Sequence, residues 1–273
     1  MSLHPDFWQN SLTTCWAGRG DVDYHETLPS TNSRLKELAR QGAPHGALCL
    51  CDDQTAGRGR LQRSWLSQPG DALTFSLLLK PALPAEQLPL CTFAAALAVH
   101  ESIRQTCPGL TPGVKWPNDI VTGGKKCVGI LSELVMGPEG EPCVVMGVGI
   151  NVAQTDFPQE IRQTATSLLR SMQAEDPSAT VPSLPRLLCC FLEEMEAAMA
   201  LLEGDLPAFM ESYRRACVTL DKRVRVIGRK ESFIGTAEDI DPTGALLVRD
   251  ENNHLQRVLS GDVSVRGLMG YTD

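Results

Sequence analysis

Most of the residues in this sequence that could do chemistry fall in three short segments. The first is Gly57-Arg58-Gly59-Arg60, followed by Arg63 and Trp65. Glycine lets a backbone approach a ligand closely, and arginine offers a planar fork of donors for phosphate or carboxylate oxygens. Taken alone, the tetrapeptide reads equally well as a solvated basic loop or an RNA-binding arginine–glycine segment. The second is Lys115-Trp116-Pro117-Asn118-Asp119, with Gly123-Gly124-Lys125-Lys126 close behind. The third is Gly147-Val148-Gly149-Ile150-Asn151, where small residues alternate along an apolar run. Such alternation marks either a group pressed against a sheet or ordinary packing beneath a helix.

The second segment has a geometry that can be worked out. Trp-Pro within a regular strand is costly, because proline removes a ladder donor and restricts its neighbour. Gly123-Gly124 is a favoured two-residue hairpin turn. That turn pairs Thr122 with Lys125, Val121 with Lys126 and Asp119 with Val128. Side chains alternate faces, so Asp119, Val121 and Lys126 point one way and Lys125 the other. Asp119 and Lys126 then become diagonal neighbours roughly 7–8 Å apart, able to grip one ligand. The competing reading makes both lysines ordinary turn residues, and a longer turn would undo the parity.

These segments need elements to hold them. Ser30-Thr31-Asn32 leads into a helix over 33–40, with Leu35, Leu38 and Ala39 on one face and Gly42 as its stop. A buried strand over 46–51 runs into a polar loop over 52–60. Leu73, Phe75, Leu77 and Leu79 alternate as a strand, and 86–107 reads as a helix with Pro89 in its first turn. The hairpin covers 114–134, another strand covers 144–151, and helices follow over 182–202 and about 208–217. After Thr219 the pattern changes to five short alternating runs separated by turn clusters, which reads as a small all-β barrel. The expected organisation is therefore a mixed unit over 1–218, its first twenty residues a loose arm, and a barrel over 219–273.

Totals set the outer bounds. A chain of 273 residues with 42% hydrophobic and 21% charged residues can bury a sizeable core. Its net charge of −8 argues against a general nucleic-acid or membrane-surface binder. The ten cysteines include no CxxC, and several lie in apolar runs, so reduced buried thiols are expected in preference to disulfides or zinc. Residues 1–10 lack a secretory apolar region, and the apolar stretch over 88–99 is too short to span a bilayer. A cytoplasmic protein of α/β or α+β type is expected.

Together the blocks resemble the biotin–protein ligases. The resemblance rests on Gly57-Arg58-Gly59-Arg60, Lys115-Trp116-Pro117-Asn118-Asp119, Lys126 before Val128-Gly129-Ile130-Leu131, and Gly149-Ile150-Asn151. Ser30-Thr31-Asn32, Gln54 and the tail Gly261-Asp262-Val263-Ser264-Val265-Arg266 fit the same pattern, so it spans about residues 24 to 268. It implies an α+β fold of the class II synthetase-like, biotin–lipoate ligase type: a mixed sheet with packed helices and a C-terminal SH3-like barrel. The implied activity is ATP-dependent activation of biotin to biotinyl-5'-AMP, then transfer to a lysine of a biotin carboxyl carrier domain. Lys126, Arg58, Arg60 and Asp119 would carry the chemistry. Biotin would lie among Ser30, Thr31, Asn32, Gln54, Gly57, Arg58, Arg60, Trp65, Lys126, Gly129, Gly147 and Gly149. ATP would meet Arg60, Arg63, Lys115, Asn118, Asp119, Lys126, Asn151 and Arg266, with magnesium arriving on the nucleotide near Asn118 and Asp119 and no tightly bound metal.

Some roles have plainer alternatives. Ser30, Thr31 and Asn32 are good helix caps, Trp65 suits a plain core, and Arg266 suits a surface. The loop over 55–64 is expected to be mobile when empty and ordered around the adenylate. The blocks leave the residues that cover the adenine, within 152–166, unassigned. Repressor members carry a winged helix-turn-helix ahead of the catalytic core, whereas Tyr24 already belongs to the core here, so no DNA partner is expected. A homodimer through an exposed sheet edge is compatible with the pattern. The rivals are a lipoate–protein ligase and a non-catalytic biotin-binding regulator or adaptor.

Overall fold

The computed structural model describes residues 3–20, 22–228 and 232–260 and the backbone of 264–267; the side chain of Gln62 lies outside the description. Alternating apolar runs assemble into a seven-stranded sheet in the order β1-β2-β3-β7-β6-β5-β4. Its strands are β1 (Val22–Leu28), β2 (Leu48–Gln54), β3 (Ala72–Leu79), β4 (Gly113–Lys115), β5 (Asp119–Thr122), β6 (Lys125–Met136) and β7 (Pro142–Asn151). Only β1 and β2 are parallel, and helix α1 (Thr31–Arg40) lies between them in the chain. Every other neighbouring pair is antiparallel.

Strand parity sorts the side chains into two cores. Leu48, Leu50, Phe75, Leu77, Met146 and Ile150 enter a large core with helices α2 (Cys91–Thr106), α4 (Leu184–Gly204) and α5 (Leu206–Ala216). Cys49, Cys51, Leu78, Cys143 and Val145 face the other way and pack with Leu35 and Ala39 of α1. None of the ten cysteines is in a disulfide. Burial pushes the thiols of Cys91 and Cys127 up to about 12, as expected of small core residues with no ionic role.

The structure corrects several boundaries. The arm expected to be loose is packed: Leu3, Trp8, Leu12 and Ala17 join the large core. Glu196 of α4 accepts from the amides of Cys15, Trp16 and Ala17 at 2.8, 2.5 and 2.8 Å. An irregular segment tied down by single side chains and carboxylate–amide bonds has no period to read. The helix expected over 86–107 divides into a 3-10 turn, Ala85–Leu90, and α2, since Pro89 lacks the N–H that an α-helix would use there. Strand β1 and helix α3 (Leu168–Glu175) were not foreseen.

The hairpin turns at Gly123 and Gly124, with φ of +53° and +73°, values that glycine adopts without strain. Thr122 pairs with Lys125 and Val121 with Lys126, as the turn requires. The register then shifts between Ile120 and Val121, so Ile120 faces Val128 and Asp119 faces Gly129, not Val128. Cys127 is the extra residue of a bulge, a feature a turn-based count cannot see.

The C-terminal runs form β8 (Arg223–Ile227), β9 (Ser232–Ile240), β10 (Leu246–Asp250), β11 (Leu255–Val258) and β12 (Ser264–Gly267). They make an antiparallel sheet in the order β11-β10-β9-β8-β12. Val224, Val226, Ala237, Leu246 and Val248 share the large core, and Trp116 ties the sheets together. Its backbone N–H reaches Thr219 Oγ1 at 2.9 Å and its indole N–H reaches the Gly244 carbonyl at 3.1 Å. No helix among the described residues is long and apolar enough to cross a membrane.

Candidate active site

The small residues of β7 leave a lane on the sheet face that carries α1. A Cβ on Gly147 would collide with the Asn32 carboxamide, and one on Gly149 with the Trp65 indole. On the next strand, a Cβ on Gly129 would lie 2.9 Å from the Trp65 ring and 3.1 Å from Lys126 Nζ. The glycines therefore make room for two side chains pressed against the sheet, Asn32 from helix α1 and Trp65 from the arginine loop.

A polar chain runs along the α1 side of this lane. Gln54 Oε1 accepts from the Thr31 amide at 2.9 Å and lies 3.3 Å from Thr31 Oγ1. Ser76 Oγ is 2.8 Å from Thr31 Oγ1 and donates to Asn32 Oδ1 at 2.6 Å. Asn32 Nδ2 donates to the Leu131 carbonyl at 3.2 Å and to Glu133 at 2.9 Å, and Lys36 Nζ closes the chain on Glu133 at 2.6 Å. Burial pushes the Glu133 carboxyl up, but Lys36 and Asn32 outweigh it and hold the group below its ordinary range. Ser30 occupies the N-cap position of α1 without making a side-chain cap bond. Capping therefore does not account for its hydroxyl. Sequence reasoning missed Ser76, Lys36 and Glu133; the hydroxyls of Thr74 and Ser76 on one face of an otherwise apolar strand were the available signal.

The cationic part of the site sits on the bulged hairpin. Lys126 Nζ is 2.6 Å from Asp119 Oδ1 and 5.8 Å from the centre of the Trp65 ring. The bulge thus brings the pair into direct contact, closer than diagonal neighbours would be. Lys126 also donates its amide to the Thr164 carbonyl and accepts from the Thr166 amide, both at 2.8 Å. Asn118 Nδ2 donates to the Ile130 carbonyl at 2.7 Å, and its Oδ1 accepts from Arg60 at 2.7 Å. The other arm of the Arg60 guanidinium donates to the Ser260 carbonyl beside the C-terminal sheet. Asn118 and Asp119, the expected neighbours of magnesium, thus each have an oxygen engaged by a cationic side chain.

The arginine loop folds back on itself. Trp65 donates its amide to the Gly57 carbonyl at 2.9 Å, and Gly59 donates to the Arg63 carbonyl at 2.7 Å. Arg58 and Arg63 are exposed, Arg60 is half-buried, and burial lowers the pKa of Arg60 without threatening its charge. Trp65 Nε1 is buried with no hydrogen-bond partner among the described residues.

These groups surround a cavity of about 620 Å³, a volume suited to a small molecule plus part of a nucleotide. Ser30, Thr31, Asn32, Gln54, Arg58, Arg60, Arg63, Trp65, Lys115, Asn118, Asp119, Lys126, Gly129, Gly147, Gly149 and Asn151 all line it. Gly57 does not; it lies behind Trp65, where a Cβ would strike the Trp65 carbonyl. Arg266, on β12, is placed by its backbone opposite Arg225 of β8, and its side chain lies outside the described residues. The segment left unassigned supplies Gln154, Phe157, Ile161, Thr164 and Ala165 to the far wall. Asn151 Nδ2 pins it through the Thr166 carbonyl at 3.0 Å, and Arg170 of α3 lies 5.7 Å from the Phe157 ring centre.

Comparison with known proteins points to one family. Residues 24–151 match the biotin/lipoate A/B protein ligase family, and residues 219–266 match the biotin protein ligase C terminal domain. The chain is 37% identical to the bifunctional ligase/repressor BirA of Bacillus subtilis, over 89% of this chain and 73% of the relative. It is 33% identical to the biotin--[acetyl-CoA-carboxylase] ligase of Mycobacterium tuberculosis, over 96% of each chain. Among solved structures, the biotin protein ligase from Aquifex aeolicus in complex with biotin and ATP superimposes with a TM-score of 0.77 at 28% identity. That match covers 90% of this chain and 99% of the other.

Proposed function

The chain belongs to the biotin/lipoate A/B protein ligase family, and we propose that it is a biotin–protein ligase whose cavity joins biotin to AMP before passing it to a protein lysine. The observation that carries this reading is the position of Lys126. It stands between a polar chain on one side of the cavity and the 151–166 wall on the other.

Biotin's ureido ring carries two N–H donors and a carbonyl acceptor on an otherwise apolar bicycle. Gln54, Thr31, Ser76 and Asn32 offer both donors and acceptors, held in place by one another. Lipoate's dithiolane has no such groups, and burying this chain against it would leave polar atoms unpaired. That difference favours biotin within a family that handles both.

The first step joins two anions. A biotin carboxylate oxygen bonds to the α-phosphorus of ATP, the bond to the β-phosphate oxygen breaks, and pyrophosphate leaves. Lys126 lowers the repulsion between carboxylate and phosphate, and Arg58, Arg60 and Arg63 supply further donors from the loop. Magnesium enters with ATP as part of the substrate complex. The second step requires a neutral amine. The acceptor lysine loses a proton, its nitrogen attacks the activated carbonyl, and AMP departs. Asp119, beside Lys126, is our candidate for that proton. The acceptor is a biotin carrier domain of a carboxylase, a reading supported by two relatives whose names give acetyl-CoA carboxylase as the protein they modify. Thiols free of disulfides fit a reducing compartment such as the cytoplasm.

The test is pyrophosphate release and acid-labile biotinyl-adenylate from protein, biotin and MgATP with no acceptor present. We expect adenylate from the wild type. Adenylate from lipoate alone would move the protein to the sister activity, and silence with both acids would refute the ligase reading.

A further inference from the structure

Lys36 and Glu133 stand behind the cavity wall. Neither lines the cavity, and their side chains are only 18% and 28% exposed. The proposed reaction uses neither of them, yet a half-buried carboxylate tied into the polar chain of a site calls for a reason. Its two oxygens have separate partners. Oε1 accepts from Lys36 Nζ at 2.6 Å, and Oε2 accepts from Asn32 Nδ2 at 2.9 Å. Burial pushes the carboxyl up, but the hydrogen bonds from Lys36 and Asn32 and the charges of Lys36 and Arg58 hold it below its ordinary range, and so ionised.

An ionised carboxylate only accepts, and that fixes the protons of the chain beyond it. Asn32 must turn its amino group towards Glu133 and the Leu131 carbonyl, so its own carbonyl oxygen faces Ser76. The 2.6 Å between Asn32 Oδ1 and Ser76 Oγ needs a proton, and only the serine has one. With that proton committed, the 2.8 Å contact between Ser76 and Thr31 must use the proton of the threonine. Thr31 then has no proton for Gln54 Oε1, 3.3 Å from its hydroxyl, and that oxygen takes the Thr31 amide at 2.9 Å instead. The Thr31 hydroxyl thus points its proton into the wall and offers the cavity lone pairs alone. We infer that Glu133 is a positioning residue: through Asn32 and Ser76 it makes Thr31 an acceptor, so that the site selects an acid whose ring carries an N–H at that point. This step rests on the ligase reading and adds to it the origin of selectivity for the ureido ring.

The experiment follows pyrophosphate release by the full-length enzyme with MgATP. The acids are biotin and its two analogues in which one ring N–H is replaced by oxygen. Glu133→Gln keeps the shape of the side chain and removes one acceptor. Lys36 can only donate, so it takes the remaining carbonyl, and the new amino group meets that of Asn32 and opposes the order of the chain. Adding Lys36→Met leaves the carbonyl to turn towards Asn32, which restores the order. We expect the wild type to prefer biotin over the poorer analogue by about 10²-fold or more in kcat/KM. Glu133→Gln should raise KM for biotin about tenfold, leave kcat at saturating biotin and KM for ATP within about twofold, and cut the preference to about tenfold. The double variant should recover most of both losses. A preference that Glu133→Gln leaves intact would overturn the inference. So would losses that the double variant deepens, because a purely structural ion pair predicts further damage when its second member is removed. No pyrophosphate release from the wild type with biotin would instead refute the ligase reading, and the inference with it.

Discussion

Strand β7 shows two kinds of design on its two faces. Toward α2 and α4 it presents Val144, Met146, Val148 and Ile150, large side chains that fill a core. Toward the cavity, on the α1 side, it presents Gly147 and Gly149, where other side chains press onto bare backbone. On β3 the contrast repeats, with Phe75 and Leu77 on the core side and Ser76 in the polar chain. One face fills space with its own side chains, and the other leaves space that Asn32 and Trp65 fill. The lesson is that substitutions one residue apart on a strand should fail in different ways.

The largest expected effect is on the functional side. Lys126→Ala should lower the rate of adenylate formation by about 10²–10³-fold, measured as pyrophosphate release, with the melting temperature nearly unchanged. On the core side, Met146→Ala should cost about 2–5 kcal/mol of stability in urea titrations, while adenylate formation per folded molecule stays at the wild-type level. A loss of catalysis in that variant would break the separation of faces. Gly149→Ala should weaken biotin binding roughly 10- to 100-fold by calorimetry, because the new methyl displaces the Trp65 indole. Ser76→Ala should raise the biotin Kd by about 5–10-fold, through loss of the bond that orients Thr31 and Asn32.

The smallest effect is on acid stability. The Glu133 carboxyl is held below its ordinary value of 4.5, so its contribution is complete above that pH and fades as the pH falls through the lowered, folded value. Glu133→Gln should therefore flatten the decline of melting temperature below about pH 4.5, a slope that thermal melts across the acid range would measure.

Much of the site was legible before the fold, and the reason is local. Hairpin parity placed Lys126 on the face of Asp119 because a Gly-Gly turn fixes its own register. The contact distance escaped it, because the bulge at Cys127 depends on the neighbouring strands. Alternation located β3, the Gly-Gly turn located the hairpin of β5 and β6, and an apolar run located β7, whereas residues 3–20 and 152–166 gave no period. Both are irregular chain fixed by individual bonds, such as those of Glu196 and Asn151, whose partners are remote in sequence. The partners of Thr31 and Asn32 were missed for the same reason: Ser76 and Glu133 come from strands 40 to 100 residues away.

Trp116 has a consequence for how the molecule melts. It lies in the segment next to Asn118 and Asp119, yet its two hydrogen bonds end on Thr219 and Gly244, at the base of the C-terminal sheet. Gly244 in turn rests on Leu90 and Phe93, and Tyr213 donates to the Pro117 carbonyl at 3.1 Å. Heat therefore has no seam along which to divide the two sheets. Their heat-absorption peaks should merge into one, with calorimetric and van't Hoff enthalpies equal. Damage to the far sheet would then be felt as a lower fraction of intact cavities, even though none of its described side chains lines the cavity.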